Sequence, residues 1–189
     1  MGKKSKQKTE KMPDMVFKLM ILTYKIIDFI FPYVKNRIKN FNIKEEMTVI
    51  DYGCGPGRYT IPFSKIVGQK GEIYAVDIHQ MAIEQVKKRI KKFNISNVKT
   101  KLASGIDDYK YDTGLPEKIS DVVCAFDMFF MIKKPTEFLS EISRILKDDG
   151  ILIIDDGHQS RNTSKEKINN SNLFEIIEES KDHMKFKKK

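Results

Sequence analysis

From residue 47 onward, short apolar runs take turns with longer stretches in which apolar residues recur every three or four positions. MTVIDYG (47–53), EIYAVDI (72–78), NVKTKLA (97–103), SDVVCAFD (120–127) and GILIIDD (150–156) have strand length and are rich in β-branched residues. The stretches between them have helical character. RYTIPFSKIVG (58–68) predicts a helix closed by Gly68, with Pro62 tolerated near its first turn. Over 80–93, Ile83, Val86, Ile90 and Phe93 share one helical face, and the lysines and arginine between them form the wet side. Phe138, Leu139, Ile142, Ile145 and Leu146 mark another helix. Strands alternating with helices predict an α/β fold: a doubly wound, Rossmann-like sheet, mostly parallel and covered on both faces. Past residue 156 the alternation stops. Thr163 to Glu166 has the spacing of a capping box and predicts a short helix. LFEIIEES (173–180) and HMKFKKK (183–189) then read as a C-terminal antiparallel hairpin.

The N-terminal side has a different pattern. Residues 1–12 read as a disordered basic tail, and Pro13 opens a helical stretch. Asp14, Lys18, Lys25 and Asp28 fall on one narrow stripe, and everything else from Met15 to Phe31 is apolar apart from Thr23. A helix this apolar needs cover. Three covers stay open: packing on the domain, a lid over a hydrophobic pocket, or a membrane interface. Its charges interrupt the run that a membrane span needs, so no transmembrane segment is expected. Pro32 breaks the helix, and a second, short one runs from Tyr33 to Phe41. The predicted organisation is a tail (1–12), N-terminal helices (13–42) and one larger domain (43–189).

Charge changes this picture only at the ends. The formal charge of the 189 residues is +9, and much of the excess is lysine in GKKSKQK (2–8) and KFKKK (185–189). Such segments are solvated, or else they touch nucleic acid or an anionic membrane surface. The two cysteines, Cys54 and Cys124, sit inside predicted core elements and make no disulfide framework. With no visible signal peptide, the expected location is cytoplasmic.

The candidate chemistry begins at VIDYGCGPGRYT (49–60). A strand that runs into a glycine turn and then a helix sets bare backbone N–H groups beside a ligand. The dinucleotide pattern G-x-G-x-x-G fails, because its sixth position is Arg58, and no Walker loop is present. The spacing is instead acid-x-G-x-G-x-G, from Asp51 to Gly57. An acid in front of the turn suits a ligand that carries positive charge.

On these residues, with YAVDIH (74–79) and FLSEISRILKDDGILIIDD (138–156), the chain resembles the class I S-adenosylmethionine-dependent methyltransferases over roughly residues 45–160. Within them it is most similar to the small-molecule group that includes quinone-biosynthesis C-methyltransferases. The resemblance implies S-adenosylmethionine as cofactor and a seven-stranded sheet with an antiparallel strand near one edge. It implies that Gly53, Cys54, Gly55 and Gly57 form the turn under the methionine part, with Asp51 reaching the amino end. It implies that Asp77 accepts from the ribose hydroxyls, that Ile78 packs on the adenine, and that Phe126 also borders the cofactor. Two places depart from the family pattern. Ser104 stands where an acid often meets the adenine amine, leaving that contact weak or to Asp107 or Asp108. Lys147-Asp148-Asp149-Gly150 replaces the usual K-P-G-G turn.

Methyl transfer from a sulfonium asks for alignment and a dry site, and for a base only when the acceptor must lose a proton. In open α/β sheets the site lies beyond the carboxyl ends of the strands. Asp127, Asp156 and His158 follow predicted strands four and five there. They are the candidate catalytic residues, as a base or as divalent-metal ligands, unless they only cap loops. No HxxxH or CxxC spacing supports a metal, and none is expected. After strand four the chain reads Phe126-Asp127-Met128-Phe129 instead of the [DN]-P-P-[YF] of amino-methyltransferases acting on bases. The apolar run from Phe126 to Met131 favours a small hydrophobic acceptor. RNA or protein methylation through the basic tails, and cofactor binding without catalysis, are the alternatives. The pocket is completed by the N-terminal helix, a second copy or a partner.

Overall fold

The computed structural model describes residues 10–30, 33–103 and 111–189. Most of the basic tail, Pro32, Ser104, Asp107 and Asp108 lie outside the described residues.

Seven strands form one sheet: β1 (Thr48–Tyr52), β2 (Glu72–Asp77), β3 (Val98–Leu102), β4 (Ser120–Ala125), β5 (Leu146–Ile154), β6 (Phe174–Glu179) and β7 (Met184–Lys188). Their order across the sheet is β3-β2-β1-β4-β5-β7-β6. The first five are parallel, as strands joined by crossover helices must be. β7 runs antiparallel to β5, with Ile154 opposite Met184, and β6 pairs antiparallel with β7. The predicted mostly parallel sheet with a C-terminal hairpin is therefore the fold.

Among the described residues six α-helices accompany the strands: α1 (Asp14–Ile30), α2 (Tyr33–Arg37), α3 (Thr60–Val67), α4 (Gln80–Phe93), α5 (Pro135–Ile145) and α6 (Arg161–Ser171). The period-two alternation of each strand divides the core between the two faces. Ile50, Tyr52, Val76, Val123 and Ile154 pack with Phe138, Leu139 and Ile142 of α5 and Ile168 of α6. Val49, Ile73, Ala75, Val122 and Cys124 pack on the other side with Phe63 and Val67 of α3 and Ile83 and Val86 of α4.

Several boundaries differ from the sequence reading, β4 among them, which ends at Ala125 instead of Asp127. The second N-terminal helix tightens into a 3₁₀ turn over Ile38–Asn40. β5 begins at Leu146, four residues early, pairing with Ser120 before the register shifts and resumes at Val122–Ile151. Gly150 permits this irregularity, since a Cβ there would stand 2.7 Å from the Leu146 side chain. α6 starts at Arg161, two residues before Thr163, because Ser160 is the cap, its hydroxyl accepting from the Thr163 N–H.

Candidate active site

The carboxyl ends of β1, β2 and β4 open onto a pocket of about 720 Å³, its open mouth included. Its floor is the glycine turn. Gly53 donates to the Val76 carbonyl (2.8 Å), which fastens the turn to β2. Gly53 has φ +75°, and a Cβ on it would meet Met128 at 2.7 Å. Gly55, at φ +50°, is different: a Cβ there would find only the Met20 methyl, at 4.0 Å. A side chain at 53 is blocked by packing, whereas one at 55 would enter the pocket.

Asp77 closes β2 and points one carboxylate oxygen at the Gly55 N–H (2.9 Å) and the other at the His79 N–H (2.8 Å). Burial raises its carboxyl above the usual range, and these two donors oppose the shift. His79 caps α4. Its Nδ1 accepts from the Met81 N–H, so Nε2 carries the ring proton, 3.4 Å from Asp14. The ring stacks on Phe17 at 4.2 Å between centroids. α1 thereby lies across the site, and Phe17 and Met20 form one pocket wall. Glu10 fastens the segment before it, accepting from the Tyr111 hydroxyl (2.6 Å) and the Lys133 N–H (2.7 Å).

Of the predicted cofactor residues, Gly53, Gly55, Asp77 and Ile78 line this pocket. Asp51 lies behind the turn, sharing a face with Val49, and accepts from the Thr60 hydroxyl. Burial pushes its carboxyl up to about 7. Cys54 is buried, and desolvation raises its thiol well above the usual range. Gly57 packs on Val86, 3.1 Å from where its Cβ would be, and its carbonyl accepts from Arg89. Phe126, expected beside the cofactor, is not among the residues lining this pocket. It shares the face of Cys124, stacks on Phe41 at 5.0 Å and lies 4.6 Å from the Arg37 guanidinium. That arginine donates to the Tyr59 hydroxyl (2.7 Å) and to Asp155 (2.9 Å), and so ties α2 to the end of β5.

The catalytic candidates do not converge. Asp127 lines the pocket in a left-handed conformation (φ +54°), with its N–H on Asp155 at 2.8 Å. Asp156 is held by the Arg161 Nε at 2.7 Å. His158 stands edge-on to Phe130, 4.9 Å between centroids. Tyr52, Glu10, Met12, Tyr111 and Ile132 complete the lining without having been singled out in the sequence. Alternation along β1 marks Tyr52, which shares the pocket face with Ile50. Nothing local marks Glu10 or Tyr111, which meet across 101 positions of sequence.

The residues present fit a cationic, hydroxyl-bearing cofactor. Three carboxylates, Glu10, Asp77 and Asp127, face the pocket, and no Lys or Arg among the described residues lines it. The glycine turn leaves that ligand a bare approach.

Comparison with known proteins decides the family. A protein family described as "Methyltransferase domain" matches residues 43–189. This chain belongs to the S-adenosylmethionine-dependent methyltransferases. S-adenosylmethionine is accordingly the cofactor. The methyltransferase is 29% identical over 108 residues to a protein of Sulfurisphaera tokodaii named as a probable cobalt-precorrin-6B C(15)-methyltransferase (decarboxylating), covering 56% of this chain and 51% of that one. It is 29% identical over 150 residues to the protein-L-isoaspartate O-methyltransferase of Thermosipho melanesiensis, covering 78% and 68%. The crystal structure of a SAM-dependent methyltransferase from Aquifex aeolicus superposes with TM-score 0.70 at 24% identity, over 81% of this chain and 87% of that one. At that identity the likeness shows the fold. The chain spans about half the length of the first curated relatives it matches.

Proposed function

We propose that the chain transfers the methyl group of S-adenosylmethionine to a small hydrophobic acceptor. The observation that carries this reading is the pocket wall opposite the glycine turn, built from Met12, Phe17, Met20, Met131 and Ile132. A wall of this kind accepts irregular apolar shapes and excludes water. The cofactor supplies a methyl group on a positively charged sulfur, ready for displacement. The chain's own part is to hold and align. Asp77 accepts hydroxyl donors, Ile78 packs beneath a flat ring, and the backbone at Gly53 and Gly55 lets the ligand approach. Asp127 is the predicted catalytic residue that reaches the pocket, so a proton leaving the acceptor goes to its carboxylate. Residues 13–42 serve as the lid of the domain at 43–189, and the tail at 1–12 precedes them. The likeness to quinone-type enzymes and a cytoplasmic location belong to this proposal. A polypeptide acceptor is the second reading, favoured by the isoaspartate methyltransferase relative.

The test is calorimetric titration with S-adenosylhomocysteine, with NAD as control, followed by turnover on a panel of neutral apolar acceptors, RNA and peptides. Asp77→Ala is expected to weaken S-adenosylhomocysteine by about 1–3 kcal/mol through lost charged hydrogen bonds. Met131→Lys is expected to spare that affinity and to abolish turnover of the apolar acceptor. Turnover of peptide or RNA in preference to every apolar acceptor overturns the acceptor class. Equal affinity of wild type and Asp77→Ala overturns the site.

A further inference from the structure

Helix α1 is apolar on two sides. Its inner side, with Phe17 and Met20, closes the pocket. Its outer side carries Met15, Val16, Leu19 and Leu22, which are 82%, 50%, 64% and 57% exposed. At 3.6 residues per turn these four fall within about 120° of arc. Scattered exposed apolar residues need no explanation, but four large ones on one helical face mark an interaction surface.

The charge that adjoins this face along the sequence says what covers it. Lys3, Lys4, Lys6, Lys8 and Lys11 precede the helix in sequence, and Lys18 borders the exposed apolar arc. Asp14, on the same border, is engaged by Lys11 (3.8 Å) and His79 (3.4 Å). A second copy of this chain would set another +9 and another lysine-rich segment against the first. RNA would take up the lysines and leave four apolar side chains in water. A surface that is anionic above and hydrocarbon below takes both.

We propose that α1 is a docking surface for anionic lipid bilayers, with Met15, Val16, Leu19 and Leu22 inserted at the headgroup–acyl boundary and Lys18, on the border of that face, at the lipid phosphates. The helix lies in the interface and does not cross it. It has 17 residues, and no helix among the described residues is long and apolar enough to span a membrane. Docking stands independently of the acceptor. If the acceptor is apolar, as proposed above, α1 is the wall between it and the lipid phase.

The experiment is vesicle flotation of the full chain with phosphatidylcholine, with and without phosphatidylglycerol. The variant is Leu19→Gln with Leu22→Gln, two exposed positions outside the pocket, whose S-adenosylhomocysteine affinity should equal wild type. Wild type is expected to float with the anionic vesicles, less so at high salt, and the double variant to lose at least about tenfold in apparent affinity, as for two half-buried leucines. Three results would overturn the proposal. In one, wild type fails to float at low salt. In another, the folded variant floats as well as wild type, leaving the lysines alone responsible. In the third, light scattering shows a wild-type dimer that the variant dissolves, giving the face to a second copy.

Discussion

Asp51 sits one layer behind the glycine turn, and burial rather than a neighbour sets its acidity. With a folded pKa of about 7 against an ordinary value of 3.8, the folded chain holds a proton that the unfolded chain releases. The protonated carboxyl contributes stability that is fully present below about pH 4 and is lost as pH rises through about 7. Asp51→Asn removes that titration. Its melting temperature is expected to gain on wild type steadily between those limits, at up to about 1.4 kcal/mol per pH unit. A difference independent of pH would show that Asp51 is ionised throughout. At Gly55, substitution by alanine forces a Cβ into the left-handed region and into the pocket. It should cost about 1–2 kcal/mol of stability and also weaken S-adenosylhomocysteine, whereas alanine at Gly68, where a Cβ meets nothing within 4 Å, should bring strain alone. Thermal melts beside calorimetry separate the two effects.

Among the elements, α2 is short, yet its Arg37 joins three others. It reaches Tyr59 before α3, Asp155 after β5 and Asp182 in the C-terminal hairpin. Arg37→Met leaves two carboxylates beside an apolar cluster with no cation, and should cost about 3–5 kcal/mol in denaturant unfolding. Asp155 also holds the backbone of Asp127, so the loss should reach the pocket as weaker cofactor-analogue binding. This joint was invisible in the sequence, because α2 and Asp155 are 118 positions apart. The strands were legible because apolar runs between turn residues announce themselves one element at a time. The glycine turn and Asp77 were legible for the same reason. Phe126 does not line the pocket, and the signal for this was present: period two along β4 sets Cys124 and Phe126 on one face and Val123, Ala125 and Asp127 on the other. Asp156 and His158 do not line the pocket, because nearness to a strand end says nothing of direction, and an arginine five residues on holds the acid.

Across the whole molecule, the family match begins at residue 43, while two layers of the site come from before it. A chain lacking residues 1–42 is expected to keep its strand pairings, since no described residue before Thr48 belongs to the sheet. It loses Phe17 and Met20 from the pocket and Val34, Arg37 and Phe41 from the core. Its circular dichroism should retain the strand signature, its unfolding midpoint should fall, and its S-adenosylhomocysteine affinity should drop by more than about tenfold. Unchanged affinity would show the N-terminal helices to be bystanders.

The position of β7 bears on the order in which the molecule is assembled. β6 precedes it in the chain but has no place on the sheet until β7 has docked on β5, because β7 lies between them. Until then the margin of β5 at Ile151 and Ile153 is a row of unsatisfied backbone groups beside a core that still lacks Met184 and Phe186. A folding chain in that state can accept the hairpin of a neighbour as readily as its own. Crowded refolding should therefore yield exchanged dimers, and dilute refolding monomers.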